Sequence, residues 1–222
     1  MARQKRIKKK RLKEDQLVTF TVQVSQFVQA HFAQVIAGVA VLVVAVGAML
    51  LTTYVRRNST RDSEAQFALA MSQYNARDVQ GAATAFAGIA DKYGNQKAGE
   101  MSRYFLGKAL LTQGKHDEAI EAFDGYLRKA GEDAPFRVAA IIGKASCLEG
   151  LHNYSASADL LEGLTKTMDE NDPRFTEVLF QAGNDYEKAG TRNKAREFYD
   201  RVAEKASGPL KDRASVASAA LE

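Results

Sequence analysis

The sequence has no Trp, one Cys and only 3 Pro among 222 residues. A single thiol excludes an intramolecular disulfide framework and any multi-cysteine zinc or iron–sulfur centre. So few prolines permit long uninterrupted helices. Charge is missing from one stretch altogether: the 40 residues from Gln16 to Val55 hold no Lys, Arg, Asp or Glu. The composition is nevertheless that of an ordered protein, 45% hydrophobic and 26% charged. It is too apolar for a disordered chain and too poor in Pro and Gly for collagen. The length allows one ordinary domain plus extensions.

The net charge of +4 is unevenly placed. Arg3, Lys5, Arg6, Lys8, Lys9, Lys10, Arg11 and Lys13 stand against Glu14 and Asp15 in residues 1–31. Residues 56–222 hold 23 basic and 25 acidic side chains, a net charge of −2. The basicity is therefore a short leader on a slightly acidic body, which speaks against nucleic-acid binding by the protein as a whole. A basic leader can touch RNA; beside an apolar segment it sets membrane orientation instead.

Within the charge-free stretch, Val35–Leu51 has no polar side chain at all. Phe32 to Val55 makes 24 residues, roughly 36 Å of helix against a hydrocarbon core of about 30 Å. Lipid offers the backbone no hydrogen-bond partner, so a spanning segment is helical. Tyr54, Arg56 and Arg57 suit the far interface. A buried core helix is the competing reading, but the run is apolar on every face. A cleaved signal peptide would have a shorter apolar region nearer the start. No Cys follows the run closely, which excludes bacterial lipidation there. The predicted layout is a basic cytoplasmic tail and amphipathic segment over 1–31, a transmembrane helix over 32–55, and 56–222 across the membrane in the periplasm. Leu17, Phe20, Val24, Phe27, Val28 and His31 form one helical stripe, while Val18, Phe20, Val22 and Val24 alternate like a strand. Next to a bilayer the interfacial helix is favoured.

The remaining three quarters repeat. Residues 104–123, 140–161 and 179–199 align, each with a small residue in a first helix (Gly107, Gly143, Gly183) and a glycine seven residues on (Gly114, Gly150, Gly190). A degenerate earlier copy, 67–86, puts Ala70 in the Gly107 place. The central small residue lets paired helices approach closely, and the later glycine ends the first helix in the left-handed region. Ala119 and Phe123, or Ala195 and Tyr199, share one face of the second helix. One hairpin cannot bury that face, so stacking is required. The third copy carries about two extra residues between Gly150 and Tyr154. Residues 208–222, with Pro209 near the start, read as a capping helix. The predicted fold is all-α: an N-terminal transmembrane helix, then an α-solenoid of about four helical hairpins and a C-terminal cap.

These copies resemble the tetratricopeptide repeat. Leu106-Gly107, Ala119 and Phe123 match its Leu-Gly, Ala and Phe positions, and Gly183, Tyr186, Ala195 and Tyr199 match again. The large first-helix aromatic is absent; Arg103 and Leu179 stand there. Basic tail, amphipathic segment, span and extracytoplasmic repeats together resemble the YfgM-like family of bacterial inner-membrane proteins. That resemblance implies an ancillary subunit of the Sec translocon that associates with a periplasmic chaperone.

No catalytic constellation emerges, so no enzyme activity and no cofactor or metal is expected. Gly107-Lys108 and Gly143-Lys144 hint at a phosphate loop. However, Ser102 and Val138 replace its first glycine, and Ala109 and Ala145 its Ser/Thr. His116 and His152 read as exposed turn residues. Cys147 reads as a small packing residue, with an intermolecular disulfide as the other possibility. Asp169, Glu170 and Asp172 before Pro173 form a polar inter-repeat loop. The first helices of a stacked array line its concave side. Helical spacing places Phe67, Met71, Tyr74, Tyr104, Lys108, Lys144, Phe180, Asn184 and Glu187 there. Lys108 and Lys144, in equivalent places, are candidates to hold a peptide carboxylate beside adaptable apolar contacts. The alternative is that the lysines are solvated and the aromatics seal adjacent repeats. Two functions stand: a membrane-tethered scaffold or chaperone-like subunit near the translocon, and an assembly subunit of another membrane complex. Self-association remains open, since Ala33 and Ala37 are too weak a small-residue pair to predict a dimer.

Overall fold

The structure, a computed structural model, describes Phe20, Ser25, 29–132 and 134–222. The basic leader and most of the amphipathic segment predicted over 1–31 lie outside the described residues. The chain divides into two units, 1–58 and 59–222. Among the described residues there is no strand, and the helices follow one another as α1 (Phe32–Asn75), α2 (Val79–Lys92), α3 (Lys97–Thr112), α4 (His116–Leu127), α5 (Arg137–Gly150), α6 (Tyr154–Thr165), α7 (Phe175–Lys188), α8 (Arg192–Lys205) and α9 (Pro209–Ala219).

In the first unit, α1 carries the predicted span. Its apolar window is long enough to cross a membrane, and none of it is buried. Val41, Leu42, Val44 and Leu50 stand exposed.

In the second unit, the end of α1 and α2 to α8 form four hairpins, with α9 closing the series. Each second helix buries a stripe at i, i+4 and i+7: Ala82, Phe86 and Ile89 in α2; Ala119, Phe123 and Tyr126 in α4; Ser157, Leu161 and Leu164 in α6; Ala195, Tyr199 and Val202 in α8. Caps fix two of their starts: Asp78 Oδ1 accepts from the Gly81 N–H at 2.9 Å, and Asn153 Oδ1 from the Ala156 N–H at 3.3 Å. Helices pack on their neighbours in sequence, and α3 also meets α5 across two repeats. The first repeat is held to the next turn by polar contacts. Ser63 Oγ donates to Gln96 Oε1 at 2.8 Å, and Gln96 Nε2 donates to Ser59 Oγ at 2.7 Å.

The central glycines do steric work. A Cβ on Gly107 would lie 2.7 Å from the Phe123 ring, and one on Gly143 would lie 2.6 Å from the same ring. Phe123 is fully buried, so its ring is gripped between first helices of successive repeats and has nowhere to move. Gly183 faces the Tyr199 ring in the same way, at 2.8 Å.

The turn glycines divide. Gly114 (φ 72°) and Gly190 (φ 78°) occupy the left-handed region, as the spacing predicts. Gly150 does not. The two extra residues lengthen α5 to include it, and His152 (φ 58°) takes the left-handed position instead. Gly150 is required for another reason: a Cβ there would meet the His116 ring at 2.3 Å. His116 is correspondingly half-buried rather than exposed. In the first hairpin Arg77 (φ 65°) turns the chain. Pro209 opens α9 as expected, after Gly208 at φ 64°.

Gly143→Ala is expected to lower stability by about 1–3 kcal/mol through overpacking against Phe123. Gly163→Ala, in a helix with nothing near its Cβ, is expected to raise it by about 0.5–1 kcal/mol. Thermal unfolding of the full chain in detergent, followed by circular dichroism, checks both signs.

Candidate functional site

The nine residues predicted for the first-helix face fall into three groups. The first is aromatic. Phe67 lies 5.8 Å from Phe86 and 5.7 Å from Phe105, and Tyr74 lies 6.3 Å and 6.2 Å from the same rings. Met71 packs beside them. Tyr104 is buried, 5.1 Å from Phe105 and stacked on Phe136 at 4.6 Å. Lys108 Nζ sits 5.7 Å from the Tyr74 ring, 5.8 Å from Tyr104 and 5.9 Å from Phe105. Such a cation–ring contact is worth about 0.5–2 kcal/mol. Phe67, Met71, Tyr74, Tyr104 and Lys108 are thus brought together around Phe105.

The second group is an ion pair. Lys144 Nζ donates to Asp124 Oδ1 at 2.7 Å, from α5 back to α4. Both side chains are partly exposed, so the pair contributes about 0–1 kcal/mol. The third group surrounds Tyr199. Its hydroxyl donates to Glu187 Oε2 at 2.6 Å and lies 2.8 Å from Asn184 Oδ1. Burial, reinforced by Glu187, pushes the phenol above its ordinary range. Phe180 is buried, with the Arg213 guanidinium 4.5 Å above its ring. Lys144 and the α7 residues therefore enter contacts separate from those of Lys108.

Sequence reasoning did not single out Phe105, Phe136 or Asp124. The only available signal for Phe105 was its place beside Leu106-Gly107. Arg103, noted only as a departure from the repeat pattern, has a definite task. Its guanidinium donates to the carbonyls of Gly94 (3.1 Å), Ala90 (3.1 Å) and Gly99 (3.4 Å). It closes the carboxyl end of α2 with hydrogen bonds where an indole would close it with apolar surface. None of the nine residues lines the open groove of about 470 Å³ between α2 and α4. Leu106 and Leu110 line that groove with Ala83, Ala87 and Ala122.

A buried polar cluster joins the third and fourth repeats. Asp185 on α7 is fully buried, and its Oδ2 accepts from Ser157 Oγ at 2.6 Å. Desolvation raises its carboxyl to about 6. A neighbouring surface cluster behaves oppositely. Lys166, Tyr186 and Lys194 donate to Glu162 and hold its carboxyl down at about 2. In the inter-repeat loop, Arg174 grips Asp172 through Nε (2.9 Å) and Nη2 (2.6 Å), and Glu170 pairs with Lys205. Cys147 is fully buried, and burial pushes its thiol up to about 11. It packs, as one of the two readings expects, and offers no accessible thiolate for an intermolecular disulfide. No group of three or more His, Cys, Asp or Glu among the described residues is placed to hold a metal.

Comparison with known proteins agrees with this geometry. The family described as Tetratricopeptide repeat matches residues 67–135 and 104–173. No curated protein matches the sequence. Among solved structures, the nearly identical TPR-like repeats assigned to a kinesin light chain of Podosopora anserina are 18% identical. They align over 71% of this chain and 84% of that one, with a TM-score of 0.57. MamA from Desulfovibrio magneticus RS-1 is also 18% identical, over 67% and 78%, with a TM-score of 0.54. Yeast Tom70 is 19% identical over 70% of this chain and 32% of its own, with a TM-score of 0.53. At such identities the likeness is one of fold alone. Residues 67–173 thus match the tetratricopeptide repeat, and the solenoid that contains them has the fold of that family.

Proposed function

We propose that this protein is a non-enzymatic, single-pass membrane scaffold of the bacterial envelope, with its amino terminus in the cytoplasm and residues 56–222 in the periplasm. Tetratricopeptide repeats imply a protein–protein interaction scaffold, which supplies the coarse activity. The observation that carries the anchor is the bare apolar window of α1, none of which is buried among the described residues. So much exposed Val and Leu needs lipid around it. The eight cations of the leader oppose translocation and support this orientation. The layout supports, by resemblance to the YfgM-like family, a place beside the Sec translocon with a chaperone-like role toward exported proteins.

The aromatic cluster around Lys108 is the proposed partner-binding surface, extended by Lys144, Asn184 and Glu187 along the first-helix face; Phe180, buried beneath Arg213, supports that face from inside. Lys108 forms no ion pair among the described residues, so a carboxylate of a bound peptide supplies its counter-charge. Lys144 joins only by exchanging Asp124 for that ligand.

Four measurements test these statements. Protease added to intact spheroplasts is expected to digest residues 59–222, and full protection would overturn the orientation. A carbonate wash is expected to leave the full-length chain in the membrane; its release would remove the anchor. Gentle detergent extraction is expected to recover translocon and chaperone components. A different stoichiometric complex without them would assign the protein to another assembly. Joint reversal, Lys108→Glu with Lys144→Glu, is expected to lower partner recovery about tenfold, equivalent to ~1.4 kcal/mol. Unchanged recovery would remove the site.

A further inference from the structure

Asp185 is the one fully buried carboxylate among the described residues, and it lies where α7 of the fourth repeat packs on the third. Its Oδ1 has no hydrogen-bond partner. Lys188 Nζ stands 4.0 Å from that oxygen and is shared with Glu149 at 3.7 Å. Glu149 in turn accepts from Gln181 Nε2 at 2.5 Å. On the other side, Ser157 Oγ is 2.6 Å from Asp185 Oδ2 and 3.1 Å from the Ala145 carbonyl oxygen. The serine has one proton and two acceptors within reach. With Asp185 ionised, that proton goes to Oδ2, the contact with Ala145 is lost, and a buried negative charge faces Glu149. With Asp185 neutral, its own O–H donates to Ser157 Oγ, and the serine proton is free to reach the Ala145 carbonyl. Both contacts are hydrogen bonds at once only when a second proton is present, and the neutral acid supplies it.

We propose that the joint between the third and fourth repeats is proton-controlled. A proton taken up from water by Asp185 completes the relay Asp185–Ser157–Ala145 across α7, α6 and α5 and tightens it, and loss of that proton loosens it. The relay spans the three helices that form the joint, so its completion couples the last repeat to the rest of the solenoid.

The direction follows from linkage. Burial raises the Asp185 carboxyl to about 6 in the folded protein, above its ordinary value of 3.8. The folded state thus holds the extra proton, and the stabilisation is fully present below about 4 and lost as pH rises through about 6. The groups facing Asp185 are Glu149 on α5, Lys188 on α7 and, across the interface with α8, Tyr199. Beyond Lys188, whose ammonium lies over the Tyr154 ring, His152 is bonded to the Tyr154 hydroxyl at 2.8 Å.

Hydrogen exchange of the full chain in detergent, corrected for intrinsic rates, tests the proposal at about pH 5 and about pH 7.5, either side of the folded-state midpoint. Peptides over 145–165 and 178–188 are expected to lose about tenfold or more of their protection at the higher pH, tenfold being the factor for one pKa unit. Asp185→Asn, which keeps a donor toward Ser157, is expected to hold the acidic level of protection at both values. Ser157→Ala is expected to show the lower level at both, and His152→Gln the wild-type difference. Protection of the wild type that does not change with pH would overturn the proposal. So would a drop that survives in Asp185→Asn or Ser157→Ala, or one that vanishes in His152→Gln. If Asp185→Asn does not fold, a ¹³C carboxyl titration of the wild type decides: a midpoint for Asp185 near about 6 supports the proposal, and one below about 4 overturns it.

Discussion

The Phe123 ring lies between Gly107 and Gly143, and at either glycine a methyl group would come within 2.7 Å of it. That contact sets how closely the first helices of two successive repeats approach, and most of the second unit depends on it. A second helix presents one large ring; its own first helix and the next first helix both yield space to it. The small-residue positions and the i, i+4, i+7 stripes are two halves of one packing rule. Where the rule is met by a smaller anchor, as at Leu161, polar contacts take over part of the joint. Ser157 stands in the small-residue place of its stripe and bonds the buried Asp185 on the next helix.

Departures from the repeat pattern are where individual chemistry enters. Arg103 replaces an aromatic and closes a helix end through carbonyl oxygens. Asp124 follows the anchoring Phe123 and reaches forward to Lys144. The last repeat and α9 seal their rings with cations: Lys194 over Tyr186, Arg201 over Phe198 and Arg213 over Phe180. The solenoid is regular in its apolar skeleton and specific in its polar coating.

The apolar skeleton was legible because it repeats: glycine and ring positions recur at a spacing that a count of residues can find, and Pro209 marks its own helix start. The count failed at Gly150. Counting assigns residues to turns by distance along the chain, whereas the two extra residues went into α5 and moved the turn to His152. His116 was misjudged for the same reason, since the helix that covers it ends later than spacing implies. The candidate face was legible as a set of positions but not as a set of contacts. Tyr104 and Phe105 are adjacent in sequence, yet Phe105 ties the first two repeats together while Tyr104 stacks on Phe136. The partner of Asp185 is 28 residues away, a distance at which only the stacking of helices decides who meets whom.

The longer α5 has a consequence for how such proteins diversify. Its final residue fits against His116 of the hairpin before it, so the third hairpin is matched to one particular neighbour. Exchange of hairpins by recombination would leave this pair mismatched unless both moved together. The second and third hairpins are therefore matched through His116 and Gly150, and a change at either position has to be answered at the other.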